Sequence, residues 1–210
     1  MFDLYLITDG LLADLPEAVD RALRRAPEGR VAVQLRAKQR GPRELLALAQ
    51  ALRSITEQRG ASLFINDRID IACSARADGV HLPEQGLPVV SARALLGSTG
   101  RIGVSCHDAD GLQRAQCEGA DFATLSPVFE SPGKGTPLGC ERFALWTRQA
   151  GLPVYALGGI RPKHVAQLRA SGAAGVAVIS GVFGARDPAA ALEDYLRAWQ
   201  DAAQAAGCPD

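Results

Sequence analysis

The chain has 210 residues, 47% of them hydrophobic and 22% charged, the balance of a single folded globular domain. Its 23 basic residues match its 23 acidic ones, so bulk charge draws it neither to nucleic acid nor to an anionic membrane, and any positive charge that matters must be local. No apolar run approaches the roughly 20 residues of a membrane span. The opening "MFDLYLITDG" carries Asp3 and no basic segment before a cleavage site, so it does not read as a signal peptide and a cytoplasmic protein is expected. The five cysteines, Cys73, Cys106, Cys117, Cys140 and Cys208, show no metal-binding spacing and are expected to be small buried hydrophobes in a reducing compartment.

In chain order, short apolar runs recur: "LYLIT" (4–8), "VAVQLR" (31–36), "SLFIN" (62–66), "GVHL" (79–82), "RIGVS" (101–105), "DFATLS" (121–126), "PVYAL" (153–157) and "GVAVIS" (175–180). They lack sustained polar alternation, as befits parallel strands covered on both faces. Between them lie amphipathic stretches. Residues 42–60 start with Pro42 in the first turn and end at Gly60, and 108–120, 161–173 and 187–207 have the same character. Eight strand-like runs alternating with helices predict one α/β domain, a (β/α)8 TIM barrel spanning 1–210. An open doubly wound sheet would want a glycine-rich first turn, and "ITDGLLAD" is not one.

Barrel chemistry sits at the C-terminal strand ends. Strand 2 presents Gln34, Arg36 and Lys38, spaced by two and so expected on one face. Strand 3 ends in Asn66 and Asp67, strand 4 in His81, and strand 5 in Ser105, Cys106 and His107. Strand 6 leads into "SPVFESPGKGTPLG" with Ser131 and Lys134, strand 7 into "GGI" with Gly159, and strand 8 into Ile179 and Ser180. Cations, hydroxyls and glycine-rich turns before helices suit phosphate, and a carboxylate beside them suits Mg²⁺. Blander readings stand beside these. Gln34 and Arg36 could form a packed polar pair, Asn66-Asp67 a helix cap, "GGI" a tight turn, Lys134 a solvated cation, and the histidines packed side chains.

Taken together, "YLITD", "VQLRAK", "INDRIDIACSARADGVHL", "GVSCH", "GADFATLSPVF", "PVYALGGI" and "GAAGVAVISGVF" resemble thiamine phosphate synthase and its relative thiazole tautomerase over nearly the whole chain. The resemblance implies a (β/α)8 barrel and a Mg²⁺-dependent transferase. Such an enzyme joins hydroxymethylpyrimidine diphosphate to hydroxyethylthiazole phosphate by a dissociative route, releasing pyrophosphate. It also implies roles: Gln34 against the pyrimidine; Arg36, Lys38 and Asn66 on the diphosphate; Ser105 and Lys134 gripping it from the far side; Asp67 on Mg²⁺; and Ser131, Gly159, Ile179 and Ser180 at the thiazole phosphate. The expected partners are small phosphorylated substrates, without nucleic acid or membrane, and a homo-oligomer is compatible.

Two positions depart from the synthase pattern. "PEQGLP" (83–88) places Gly86 where a second magnesium ligand is usual, with Glu84 as a substitute, and "ESPGKG" places Gly133 where a second threonine is usual. These losses keep open a metal-independent tautomerase using His81 or His107, since Pro127 stands where some tautomerases carry histidine. A non-catalytic binder of thiamine precursors is the third reading.

Overall fold

The computed structural model describes residues 1–10, 12 and 14–206; Cys208 and the last residue of the expected 187–207 helix lie outside them. Strands β1 (Leu4–Ile7), β2 (Val31–Leu35), β3 (Ser62–Asn66), β4 (Gly79–Leu82), β5 (Arg101–Cys106), β6 (Phe122–Leu125), β7 (Val154–Leu157) and β8 (Gly175–Val178) pair in sequence order into one closed barrel. Every pairing is parallel, including β8 with β1. Around it run α1 (Leu15–Leu23), α2 (Pro42–Gln58), α3 (Ile69–Ser74), α4 (Val89–Leu96), α5 (Ala109–Cys117), α6 (Gly139–Gln149), α7 (Val165–Ala170), α8 (Ser180–Phe183) and α9 (Pro188–Ala206).

Local chemistry explains the elements. Asp14 and Asp108 cap α1 and α5, accepting from Glu17 N and Gly111 N at 3.1 and 2.7 Å. Pro42 opens α2, and Gly60, at φ +61°, turns the chain after it. The expected 161–173 helix is shorter: a 3-10 turn over Pro162–His164 precedes α7.

Alternation along each strand sorts the side chains into two cores. Leu4, Leu6, Val33, Leu35, Leu63 and Ile65 join the helices in the outer core. Inside the barrel sit Phe2, Tyr5, Phe64, Phe122 and Tyr155, an aromatic plug with small Ala32 and Ala177. Phe2 stacks on Tyr155 at 4.6 Å, Phe64 meets Phe122 edge-on at 5.3 Å, and the Tyr155 hydroxyl donates to the Phe2 carbonyl at 2.9 Å. The plug closes the N-terminal end of the barrel and leaves the C-terminal mouth for a site.

Candidate active site

One step above the plug the barrel lining turns polar. Gln34 and His81 follow on β2 and β4, Asn66 ends β3, Ser105 is the last residue but one of β5, and Thr124 lies on β6, paired in register with Ser105. All five face a cavity of about 500 Å³. Arg36, Lys38, Ser131, Lys134, Ile179 and Ser180 line it as well. A second cavity of about 470 Å³, lined by Gly159, Arg161 and Tyr195, shares Ser131, Ile179 and Ser180 with the first. With Ile7 of β1 and Leu157 of β7 also in the lining, residues from all eight strands and their loops meet at one mouth.

Each side chain has a local reason for its place. Gln34 is 2% exposed and its amide donates to Tyr5 Oη at 3.0 Å, which fixes the edge offered to a ligand. Strand β2 ends at Leu35, so Arg36 and Lys38 reach the cavity from a turn and not from strand alternation. Buried Thr8 holds that turn: its hydroxyl accepts from Arg36 N at 2.9 Å. Close by, Gly10 packs so tightly on Ala37 that a Cβ would sit 2.8 Å from its Cα. In the loop after β6, Lys134 N donates to Ser131 O at 3.2 Å, with Pro132 second and Gly133, at φ +70°, third, the combination of a type II turn. Gly133 is therefore demanded by backbone geometry, beyond its lack of a hydroxyl.

The "GGI" turn stands two residues ahead of a 3-10 turn. It does not open a helix directly; Gly158 and Gly159 take φ +103° and +64°, and the 3-10 turn starts only at Pro162. A Cβ on Gly159 would lie 2.4 Å from the Glu130 carbonyl, so this turn is pressed against the β6 loop. Tyr195 of α9, 2% exposed, donates to the Ile160 carbonyl at 2.8 Å and approaches Gly181, where a Cβ would be 2.3 Å from its oxygen. One buried phenol thus holds the "GGI" turn by a hydrogen bond and packs against the first turn of α8.

The electrostatics favour an anion. Ion pairs among the described residues engage other cations and leave Arg36, Lys38 and Lys134 out. Glu84 lines the cavity, but its carboxylate is 3.2 Å from Arg114 Nη2 and rests against Gly111. Gly86 lies on a separate cavity of about 180 Å³, and a Cβ there would come within 2.8 Å of Pro83 Cδ. Asp67 stands exposed beside Asn66, outside the lining of both mouth cavities, at φ +65° with its N–H on the His81 carbonyl at 2.9 Å. It caps nothing: α3 begins after Arg68 without a side-chain cap.

His81 is buried, and desolvation pushes its pKa down to about 3, so the ring is neutral and unsuited to carrying protons near pH 7. His107 is more open, with Nδ1 2.8 Å from the Ser126 carbonyl and Nε2 4.0 Å from Glu84. The cysteines divide. Cys106 is buried, its thiol raised to about 12 by desolvation, whereas Cys73 and Cys117 are exposed on outward helix faces, against the expectation of burial; all four described cysteines are free.

Thr124, Ser126, Arg161 and Tyr195 were not singled out in the sequence. Period two in "DFATLS" would have found the first two, since Phe122, Thr124 and Ser126 alternate. No local signal marks Tyr195, which reaches the mouth only through the docking of α9.

Comparison with known proteins fixes the family. A family model described as thiamine monophosphate synthase matches residues 4–182. The chain belongs to the thiamine monophosphate synthase family. A Geobacter sulfurreducens protein, provisionally named a thiamine-phosphate synthase, is 48% identical over 89% of both chains. The thiamine-phosphate synthase of Moorella thermoacetica is 37% identical over 90% of this chain and 92% of its own. A solved structure of thiamine phosphate pyrophosphorylase from Pyrococcus furiosus superposes with a TM-score of 0.87 at 31% identity, covering 96% of each chain. Family membership makes the chain an enzyme of the transferase class and assigns it to thiamine biosynthesis. None of the described helices is long and apolar enough to cross a membrane.

Proposed function

We propose that this enzyme couples hydroxymethylpyrimidine diphosphate to hydroxyethylthiazole phosphate, giving thiamine phosphate and pyrophosphate. The observation that carries this reading is the pair of adjoining cavities, one ringed by Arg36, Lys38, Ser105 and Lys134, the other by the Gly158–Gly159 turn and the first turn of α8. They suit a diphosphate ester in the first and a second phosphorylated molecule in the other.

In this reading the C–O bond to the diphosphate breaks with its electron pair leaving on oxygen. The pyrimidinylmethyl cation is then captured by the thiazole nitrogen lone pair. Such a step needs charge stabilisation and orientation more than a strong base. Arg36, Lys38 and Lys134 stabilise the departing charge, with hydrogen bonds from Ser105 and Asn66. Gln34, pinned by Tyr5, reads the pyrimidine edge. Ser131, Gly159, Ile179 and Ser180 hold the thiazole phosphate.

The donor set suits a magnesium ion brought in with the diphosphate. Asp67 offers one exposed carboxylate, Asn66 an amide oxygen, and no cluster of three His, Cys, Asp or Glu occurs among the described residues. Glu84, engaged by Arg114, is the weaker candidate ligand. When bound, the ion would neutralise diphosphate oxygens. The free thiols suit a cytoplasmic setting.

The test is direct: with both substrates and Mg²⁺, pyrophosphate and thiamine phosphate should appear together. No pyrophosphate at high enzyme concentration overturns the reading. Metal-free isomerisation of a thiazole carboxylate phosphate would establish the tautomerase instead, and stabilisation by ligand without turnover a binder.

A further inference from the structure

The buried imidazole of His81 has one satisfied end and one orphaned end. Its Nε2 lies 3.1 Å from Ser105 Oγ and 3.4 Å from Thr124 Oγ1. Its Nδ1 is buried with no hydrogen-bond partner. The surroundings of Nδ1 explain why. A Cβ on Gly103 would lie 2.6 Å from it, and the Tyr5 and Phe122 rings flank the imidazole at 5.5 and 5.7 Å. Gly103 makes room for the ring without offering it a polar partner.

Two tautomers are available to a neutral imidazole. With the proton on Nδ1, an N–H is buried against apolar groups unpaired, the rarer and costlier kind of orphan. With the proton on Nε2, the orphan is a lone pair, and the N–H points at Ser105 Oγ. A serine hydroxyl that accepts one hydrogen bond is free to donate its own hydrogen elsewhere. For Ser105 the open direction is the 500 Å³ cavity.

We infer that His81 is a positioning residue: protonated on Nε2, it donates to Ser105 Oγ and so commits the Ser105 hydroxyl to donate into the cavity, onto a phosphoryl oxygen of the bound anion. The tautomer thereby acts as a polarity switch for a hydroxyl that could otherwise face either way. The inference rests on the diphosphate reading of this cavity for its ligand, while the position of the proton does not.

Two measurements test it. ¹⁵N NMR of histidine-labelled wild-type protein, which has three histidines, assigned by difference from His81→Gln, should find the His81 proton on Nε2. A proton on Nδ1 overturns the inference. Binding of inorganic pyrophosphate with Mg²⁺ supplies the functional arm. Ser105→Ala and His81→Leu should each weaken it about tenfold or more, the scale of one hydrogen bond to a charged group. The double variant should be no weaker than Ser105→Ala alone, because His81 acts through that hydroxyl. His81→Gln, which keeps an N–H donor, should stay within about threefold of wild type. Losses that multiply in the double variant overturn the inference. If His81→Leu fails to fold, the glutamine variant and the spectrum decide. A wild-type protein that binds no pyrophosphate strikes the diphosphate reading instead, and the spectrum still decides where the proton sits.

Discussion

The two ends of the barrel interior are built by the same strands and obey opposite rules. Two residues separate Phe64 from Asn66 on β3 and Phe122 from Thr124 on β6. Over that distance of about 7 Å the lining passes from a cluster of five aromatic rings to a cavity bearing cations that the ion pairs among the described residues do not engage. The plug holds mutually satisfied groups, down to the Tyr155 hydroxyl on the Phe2 carbonyl. The mouth instead leaves charge for a ligand to satisfy. Stability and function are therefore divided along the barrel axis, one layer apart, and substitutions should sort accordingly.

The largest effect should fall on the plug. Phe2 is 4% exposed and touches four other rings, so Phe2→Ala should cost about 3–5 kcal/mol of stability, read from urea unfolding. Turnover per folded molecule should stay close to normal. A tenfold loss in kcat in protein that is still folded would show that the two layers are coupled. Next come the mouth cations. Arg36→Ala and Lys134→Ala should each lower the rate by about two orders of magnitude, the usual scale for removing a donor to developing charge. Lys134 is exposed, so its variant should leave the unfolding midpoint unchanged. Near-normal turnover in both would remove these residues from the site.

The barrel was legible in the sequence because parallel strands covered on both faces leave an unmistakable trace, eight apolar runs with helices between. The mouth was legible wherever a polar residue stood at or near the end of such a run: Gln34, Asn66, Ser105. What escaped was governed by contacts between loops. Strand alternation aimed Arg36 and Lys38 correctly but for an incomplete reason, since Thr8 shapes a turn beyond the strand. Gly133 looked like a missing hydroxyl until its positive φ gave it a backbone role. "GGI" read as a turn ahead of a helix, and its conformation also answers to the neighbouring β6 loop. Glu84 looked like a spare carboxylate, and only the fold brings Arg114 to it.

His81 sits on the boundary between the layers and offers a pH test of it. Its pKa is pushed from the ordinary 6.5 to about 3 in the folded chain. Between these values the unfolded chain takes up a proton that the folded chain refuses. Stability attributable to His81 should therefore fall by about 1.4 kcal/mol for each pH unit below 6.5. The acid limb of wild-type stability, measured without Mg²⁺, should be steeper than that of His81→Gln by this amount. Parallel limbs would mean that the ring is hydrated in the folded state and belongs to the wet layer.

The smallest effect should come from the brace that reaches the mouth from outside the strands. Tyr195 lies beyond the 4–182 segment that matches the family, yet its hydroxyl holds the Ile160 carbonyl between the Gly158–Gly159 turn and the first turn of α8. Tyr195→Phe keeps the ring's packing and removes one hydrogen bond, worth about 1 kcal/mol. If the turns must be held in place to receive a phosphate, that loss should appear as a roughly fivefold rise in KM for the thiazole phosphate, the same energy expressed as a ratio. KM for the diphosphate substrate, whose cations stand on other loops, should not move, and neither should kcat. An equal rise in both KM values would mean that Tyr195 stabilises the mouth as a whole. A rise confined to the thiazole phosphate would show that the second cavity is tuned from the C-terminal helix, independently of the first.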